Sequence, residues 1–177
     1  AGLGYSTMAI KNKPNTASYT GFGEHGGLRL FKESVQHNFF NFDNYKYSRV
    51  YGTGPTEDRE PLYHSATFFL ELNGVPDENT ACGVYVDNPS QVLIDLGIVD
   101  SDQVRIASRF GDLDYYMFIG DTPGAVIHRY GDLVDHNRLK PRWALGYHQG
   151  CYGYDTREAL EAAAKKYGLK TVDILAE

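Results

Sequence analysis

A mixed β and α/β chain is predicted: an antiparallel β-sandwich portion with a linking helix over residues 1–135, followed over 136–177 by the opening of a parallel strand–helix–strand unit. Three observations carry this. Short runs of alternating apolar residues recur through the first two-thirds of the chain. Glycine, proline, asparagine and aspartate punctuate them at the spacing of antiparallel turns. Beyond Gly120 the pattern changes to helix, strand, helix, strand.

Tyr19-Thr20-Gly21-Phe22-Gly23 reads as a glycine-rich strand ending at Glu24. In 62–72, Phe68, Leu70 and Leu72 alternate with Phe69 and Glu71, and Asn73-Gly74 with Val75-Pro76-Asp77 then turn the chain. Residues 82–86 and 91–96, joined by Asp87-Asn88-Pro89-Ser90, are expected to form a hairpin. Val104, Ile106 and Ser108 alternate with Arg105, Ala107 and Arg109. Gly111-Asp112 leads into 113–119, apolar enough for burial on both faces.

Asp121-Thr122-Pro123 is a helix start, a capping side chain with proline in the first turn. Val126, Ile127, Tyr130, Leu133 and Val134 keep helical spacing on one face. After the polar connector 135–140, Trp143-Ala144-Leu145-Gly146-Tyr147 is expected as a buried strand. Asp155 with Glu158 reads as a capping box for a helix striped by Leu160, Ala163, Ala164 and Tyr167 and stopped at Gly168. A second short strand is expected at 171–175. Two parallel strands and one helix do not make a stable sheet alone, so the chain reads as stopping where a larger sheet or barrel starts.

A net charge of −6 argues against a general nucleic-acid surface or an anionic membrane surface, both of which need concentrated Lys and Arg. No apolar run approaches the length of a membrane span, and the first ten residues lack the pattern of a signal peptide, so a cytoplasmic setting is expected. Ala1 rather than methionine opens the chain, which points to processing or to a start inside a longer protein. Cys82 and Cys151 stand far apart with no metal spacing and are read as reduced structural thiols.

The most unusual stretch is 37–65. It sets Phe39, Phe40, Phe42, Tyr45, Tyr47, Tyr51 and Tyr63 among Asn38, Asn41, Asp43 and Asn44, then runs through Gly52-Thr53-Gly54-Pro55 into the charged turn Glu57-Asp58-Arg59-Glu60. Rings offer flat apolar faces to the C–H side of a pyranose, and paired amide and carboxylate groups hydrogen-bond its hydroxyls. An aromatic core segment with polar turns is the plainer alternative.

Lys140-Pro141-Arg142-Trp143-Ala144-Leu145-Gly146-Tyr147-His148-Gln149 with Tyr152-Gly153-Tyr154 resembles the opening of the (β/α)8 barrel in glycoside hydrolase family 31, the family of α-glucosidases, α-xylosidases and α-1,4-glucan lyases. Phe118-Ile119-Gly120-Asp121-Thr122-Pro123 resembles that family's link from β-sandwich to barrel, and Tyr19 to Glu24 its glycine-rich strand. Phe40-Asn41-Phe42-Asp43-Asn44, Asp58-Arg59-Glu60-Pro61-Leu62-Tyr63-His64-Ser65, Val86-Asp87-Asn88 and Gly150-Cys151-Tyr152-Gly153-Tyr154 are similar to the fungal α-1,4-glucan lyase branch.

The resemblance, which covers roughly Tyr19 to Tyr167, implies a fragment: part of the sandwich and the first βαβ unit of an incomplete (β/α)8 barrel. It implies α-glucan or maltooligosaccharide as ligand, the remainder of the barrel or another chain as partner, and no cofactor or metal. Asp43 falls where a carboxylate contacts the leaving-group sugar, with Asn41 and Asn44 beside it, and Tyr152 where a ring lines the reacting-sugar subsite. The family's chemistry is retaining, with one carboxyl attacking the anomeric carbon and one protonating the leaving oxygen. In the lyases the C2 proton is then removed and 1,5-anhydrofructose released. Both aspartates lie on later barrel strands, and the Trp-x-Asp-Met segment that carries the nucleophile is absent here, so no catalytic residue is assigned.

The alternatives are a truncated glucan-binding or assembly partner, an α-glucosidase rather than a lyase, and a purely structural sandwich. Residue by residue, Asp43 also suits an Asx turn cap and Tyr152 a packed barrel rim. Glu24 and Glu60 have simple roles as a strand end and a turn, against a reading as a catalytic pair. The six histidines show no metal spacing among themselves, and His64 and His148 are the best suited to a hydrogen bond near sugar. Gly21, Gly23, Gly26 and Gly27 lack the context of a phosphate loop.

Overall fold

The computed structural model describes residues 4, 7–24, 29–41, 63–73, 80–146, 148 and 155–168. It divides into two compact units, Ala1–Asn137 and Arg138–Glu177.

Among the described residues the first unit holds eight strands: β1 Thr7–Asn12, β2 Ser18–Gly23, β3 Gln36–Phe39, β4 Ser65–Leu72, β5 Ala81–Val86, β6 Val92–Leu96, β7 Gln103–Ser108 and β8 Tyr115–Gly120. They form two four-stranded sheets, ordered β1-β7-β6-β3 and β2-β4-β5-β8, and every pairing is antiparallel. With two α-helices among the described residues, this is the expected antiparallel β-sandwich class.

Strand alternation builds the core. Tyr19, Phe22, Phe39, Phe69, Val84, Val86, Val92, Ile94, Leu96, Val104 and Ile106 come from both sheets and form one buried cluster. Because side chains alternate, the same strands present Phe68, Leu70, Leu72 and Ala81 to the opposite face, where they make a second cluster with Val126. That cluster is the seat of α1 (Pro123–Val134). Thr122 caps the helix, its hydroxyl accepting from the Ala125 amide at 3.2 Å, with Pro123 in the first turn as expected.

The packed face of α1 is narrower than the sequence spacing implies. Val126 is fully buried and Tyr130 stacks on Phe68 at 4.2 Å, whereas Ile127, Leu133 and Val134 stay exposed. A Cβ on Gly83 would lie 2.6 Å from Val126 Cγ1 and 3.0 Å from the Phe68 ring, so the missing side chain lets the helix sit down on the sheet.

A charged contact bridges the sheets. Lys11 of β1 donates to Glu71 of β4 at 2.5 Å, and the Tyr19 hydroxyl donates to the same Oε2 at 2.8 Å. Glu71 is buried, and these two donors satisfy its carboxylate. Burial, and then the nearby carboxylate, push the Tyr19 phenol well above its ordinary value and the Cys82 thiol upward as well. Cys82 is therefore a protonated, unreactive thiol, in keeping with its structural reading.

Three local expectations are corrected. Strands β5 and β6 do not pair as a hairpin: β5 joins β4 and β8, and β6 joins β3 and β7. The chain between them crosses from one sheet to the other beside the β7–β8 crossing, and Asn88 holds the two corners together. Its Nδ2 donates to Phe110 O at 3.0 Å and Asp112 O at 2.8 Å, while its Oδ1 accepts from the Ser90 amide at 2.7 Å. Strand β8 is not buried on both faces, because it is an edge strand, and Tyr115, Met117 and Ile119 are exposed.

The third correction falls in the second unit, which contains a 3₁₀ turn at Arg142–Leu145 and α2 at Arg157–Lys166. Trp143-Ala144-Leu145 is therefore not a buried strand, and Trp143 is 74% exposed. Among the described residues of this unit no strand runs alongside it, and the backbone closes local bonds instead, Ala144 N to Pro141 O at 2.9 Å and Gly146 N to Trp143 O at 3.3 Å. The cap of α2 is Thr156, one residue after Asp155, its hydroxyl accepting from the Ala159 amide at 3.2 Å. Gly168, with φ 66°, ends that helix as expected. Tyr147 and the strand expected at 171–175 lie outside the described residues.

Gly83→Ala is expected to unseat α1 and cost about 1–3 kcal/mol through overpacking, measured as a lower urea midpoint. Asn88→Ala, which frees two carbonyls at the corner, is expected to cost about 1 kcal/mol in the same measurement.

Candidate functional site

The amide- and ring-rich segment leaves the sandwich after β3 and returns at β4. Its two ends are Asn41 and Tyr63 to Ser65, and the described residues fix how those ends are held. The holding residue comes from β2. Between Gly21 and Gly23 the β2–β4 register shifts by a bulge, and Gly21, Phe22 and Gly23 all have positive φ (119°, 71° and 80°). Glycine takes such angles freely, whereas Phe22 is held there by its fully buried ring, stacked on Phe69 at 5.2 Å and on His37 at 4.4 Å. At Gly23 a Cβ would stand 2.5 Å from the Ala66 amide nitrogen, so the strands approach too closely for any side chain.

The bulge aims Glu24 at the returning chain. Its Oε2 accepts from the amides of Tyr63 (2.9 Å) and His64 (3.1 Å), and its own amide donates to His64 O at 2.8 Å. Across the base, Ser65 Oγ donates to Asn41 Oδ1 at 2.5 Å, which ties the outgoing end to the returning one. Phe40 and Tyr63 are exposed there (53% and 57%). The base of the segment thus presents two accessible rings, while the Ser65 bond engages only the carbonyl side of the Asn41 amide.

Of the residues singled out in the sequence, Asn41 lies at this base. Asp43, Asn44, Tyr152 and Glu60 lie outside the described residues. Glu24 takes the structural role expected of a strand end, as the tether of the segment. His64 is exposed and held through its backbone, and His148 Nε2 lies 2.8 Å from Ala144 O within the second unit. Sequence reasoning passed over Ser65, whose only signal was its place at the close of a motif. It also passed over Asp132, which stands four residues after His128 and four before His136 on α1. No helix among the described residues is long and apolar enough to cross a membrane.

No protein-family model matches the chain. It is 30% identical over 156 residues to α-glucosidase 2 of Bacillus thermoamyloliquefaciens, an alignment covering 88% of this chain and 18% of that protein. Its fold superposes on a GH31 dextranase of Flavobacterium johnsoniae, solved with isomaltotriose, with TM-score 0.74 and 24% identity over 91% of this chain and 18% of that one. The α-1,4-glucan lyase of Gracilariopsis lemaneiformis is a more distant neighbour, with TM-score 0.54 and 16% identity over 62% of this chain and 13% of that one. The relatives and structural neighbours are thus family 31 enzymes, α-glucosidases and a glucan lyase among them. The chain spans about a fifth of the length of the relatives it matches.

Glu24→Ala is expected to speed hydrogen exchange at the Tyr63 and His64 amides and to cost about 1–2 kcal/mol. Glu24→Gln, which keeps an accepting oxygen in place, is expected to retain most of the protection.

Proposed function

We propose that this chain is the β-sandwich portion and opening barrel elements of a family 31 glycoside hydrolase acting on α-glucans, and that it supplies part of the wall of the sugar site. The observation that carries this reading is the doubly tethered base of the 42–62 segment. A fold that holds both ends of a segment rich in rings, amides and carboxylates is using it as a presented surface. Exposed Phe40 and Tyr63 extend that chemistry to the base itself. On this reading Asp43, flanked by Asn41 and Asn44, hydrogen-bonds the hydroxyls of the leaving-group sugar, and the Tyr152 ring stacks against the reacting glucose.

The reaction is a retaining displacement whose two carboxyl groups belong to other parts of the protein, and it requires no cofactor. Hydrolysis is the favoured outcome, because the α-glucosidase match runs along most of the chain. Elimination to 1,5-anhydrofructose is the second reading, motivated by the lyase-like residues at 40–44, 58–65, 86–88 and 150–154.

In the complete enzyme, Asp43→Ala is expected to lower kcat/KM on maltotriose by about ten- to a hundredfold, the worth of a hydrogen bond to a charged group, with the melting temperature unchanged. An unaltered kcat/KM would remove Asp43 from the site. Proton NMR of the products from maltotetraose distinguishes the branches: glucose is expected, and anhydrofructose would transfer the protein to the lyases.

A further inference from the structure

At the end of α1, three donor side chains come together for reasons built into the local sequence. His128 and Asp132, four residues apart, share one face of the helix, and His136 follows four residues later, just past its end. The regular helix stops at Val134, and Asp135, with φ 85°, bends the chain so that His136 turns back onto the last turn. Gly131 makes room for it. A Cβ there would lie 2.5 Å from His136 Nδ1 and 2.6 Å from its Cε1. Glycine inside a helix costs about 1 kcal/mol relative to alanine, and here the ring occupies the space it vacates.

The result is one carboxylate between two imidazoles. Asp132 Oδ1 lies 2.9 Å from His136 Nε2, and Asp132 Oδ2 lies 3.4 Å from His128 Nδ1. The two rings are 4.8 Å apart between centroids. The hydrogen bond from His136, and then the attraction of His128, hold the Asp132 carboxyl below its ordinary range, so it is ionised at neutral pH. A simple ion pair uses one histidine; the second, seated on a glycine, leaves an arrangement with two nitrogen donors and one oxygen donor.

We propose that His128, Asp132 and His136 bind a divalent transition metal of the zinc class. The three donor atoms lie within 4.8 Å of one another. A tetrahedral ion at about 2.1 Å from each needs them about 3.4 Å apart, so the carboxylate is already near ligand spacing from both rings and no pair of donors has more than about 1.4 Å to close. All three side chains are exposed and have the rotamer freedom to do so. Two imidazoles with a carboxylate suit zinc, nickel or copper and disfavour calcium or magnesium, which prefer oxygen ligands. The fourth position is left to water. Binding displaces the imidazole proton now shared with Asp132 and fastens the chain reversal at Asp135 to the body of the helix.

Titration calorimetry of the 177-residue chain with zinc chloride is expected to give one site, and added zinc is expected to raise the melting temperature. His128→Ala and His136→Ala should each abolish both effects. Gly131→Ala, which removes no ligand but occupies the seat of the His136 ring, should weaken binding about ten- to a hundredfold, as loss of an orienting partner does. Cobalt(II) absorption separates this site from the cysteines, because a nitrogen–oxygen site lacks a thiolate charge-transfer band. Binding that survives both histidine substitutions, a thiolate band, or no heat at all with the wild-type chain would each overturn the proposal.

Discussion

The backbone kink at Gly21-Phe22-Gly23 is the constraint on which both the interior and the contacts of Glu24 with Tyr63 and His64 depend. Left-handed angles at three successive residues are unfavourable for Phe22 by about 1–3 kcal/mol, and the compensation is its ring, sealed between Phe69 and His37. The same bend sends Glu24 outward to the amides at 63 and 64. Core packing and the hold on the Tyr63 and His64 amides are therefore coupled through Phe22 and Glu24. A substitution that loosened the Phe22 ring would be felt at the base of the loop as well as in the sandwich.

The strands could be read from the sequence because their alternation is strong and local. Phe69 and Glu71 against Phe68, Leu70 and Leu72 define the two faces of β4 without knowledge of its neighbours. Pairing was not legible in the same way. The stretch 87–90 has the composition of a hairpin turn, yet Asn88 bonds to carbonyls of a corner more than twenty residues away, which no local pattern reveals. Exposure of β8 depends on its being an edge, and the exposed 3₁₀ turn at Trp143 on its surroundings; both are tertiary facts. At the candidate site, residue chemistry marked the segment as suited to sugar, and Asn41 was identified with it. The tethers Glu24 and Ser65 act through backbone and geometry, which residue type alone does not disclose.

Electrostatics enter this molecule chiefly where charge is confined. Glu71 is buried and satisfied from both sheets, by Lys11 on one side and Tyr19 on the other, so it favours one particular alignment of the sheets. Asp95, equally buried, accepts from the amides of Gly97 and Ile98 at 3.0 Å each and from Gln36 at 3.0 Å, shaping the turn that returns β6 into β7. A net negative chain thus spends two of its buried carboxylates on register and turn geometry. The surface charge is left to keep it apart from polyanions.

The sheet orders carry a consequence for how the chain acquires its shape. β1 and β3 flank one sheet and β2 flanks the other, so three of the four edges come from the first strands in sequence, while β4 to β7 fill the centres. Among the described strands only β4–β5 and β6–β7 are consecutive partners in a sheet, and they are the natural first structures to form. Thr7 finds Ser108 only across about a hundred residues. At ribosomal speeds of roughly 5–20 residues per second, β1 waits on the order of 5–20 s for β7. Met8 and Ile10 stay exposed even in the finished sheet, so what β1 lacks through that interval is a partner for its backbone amides and carbonyls rather than cover for its side chains.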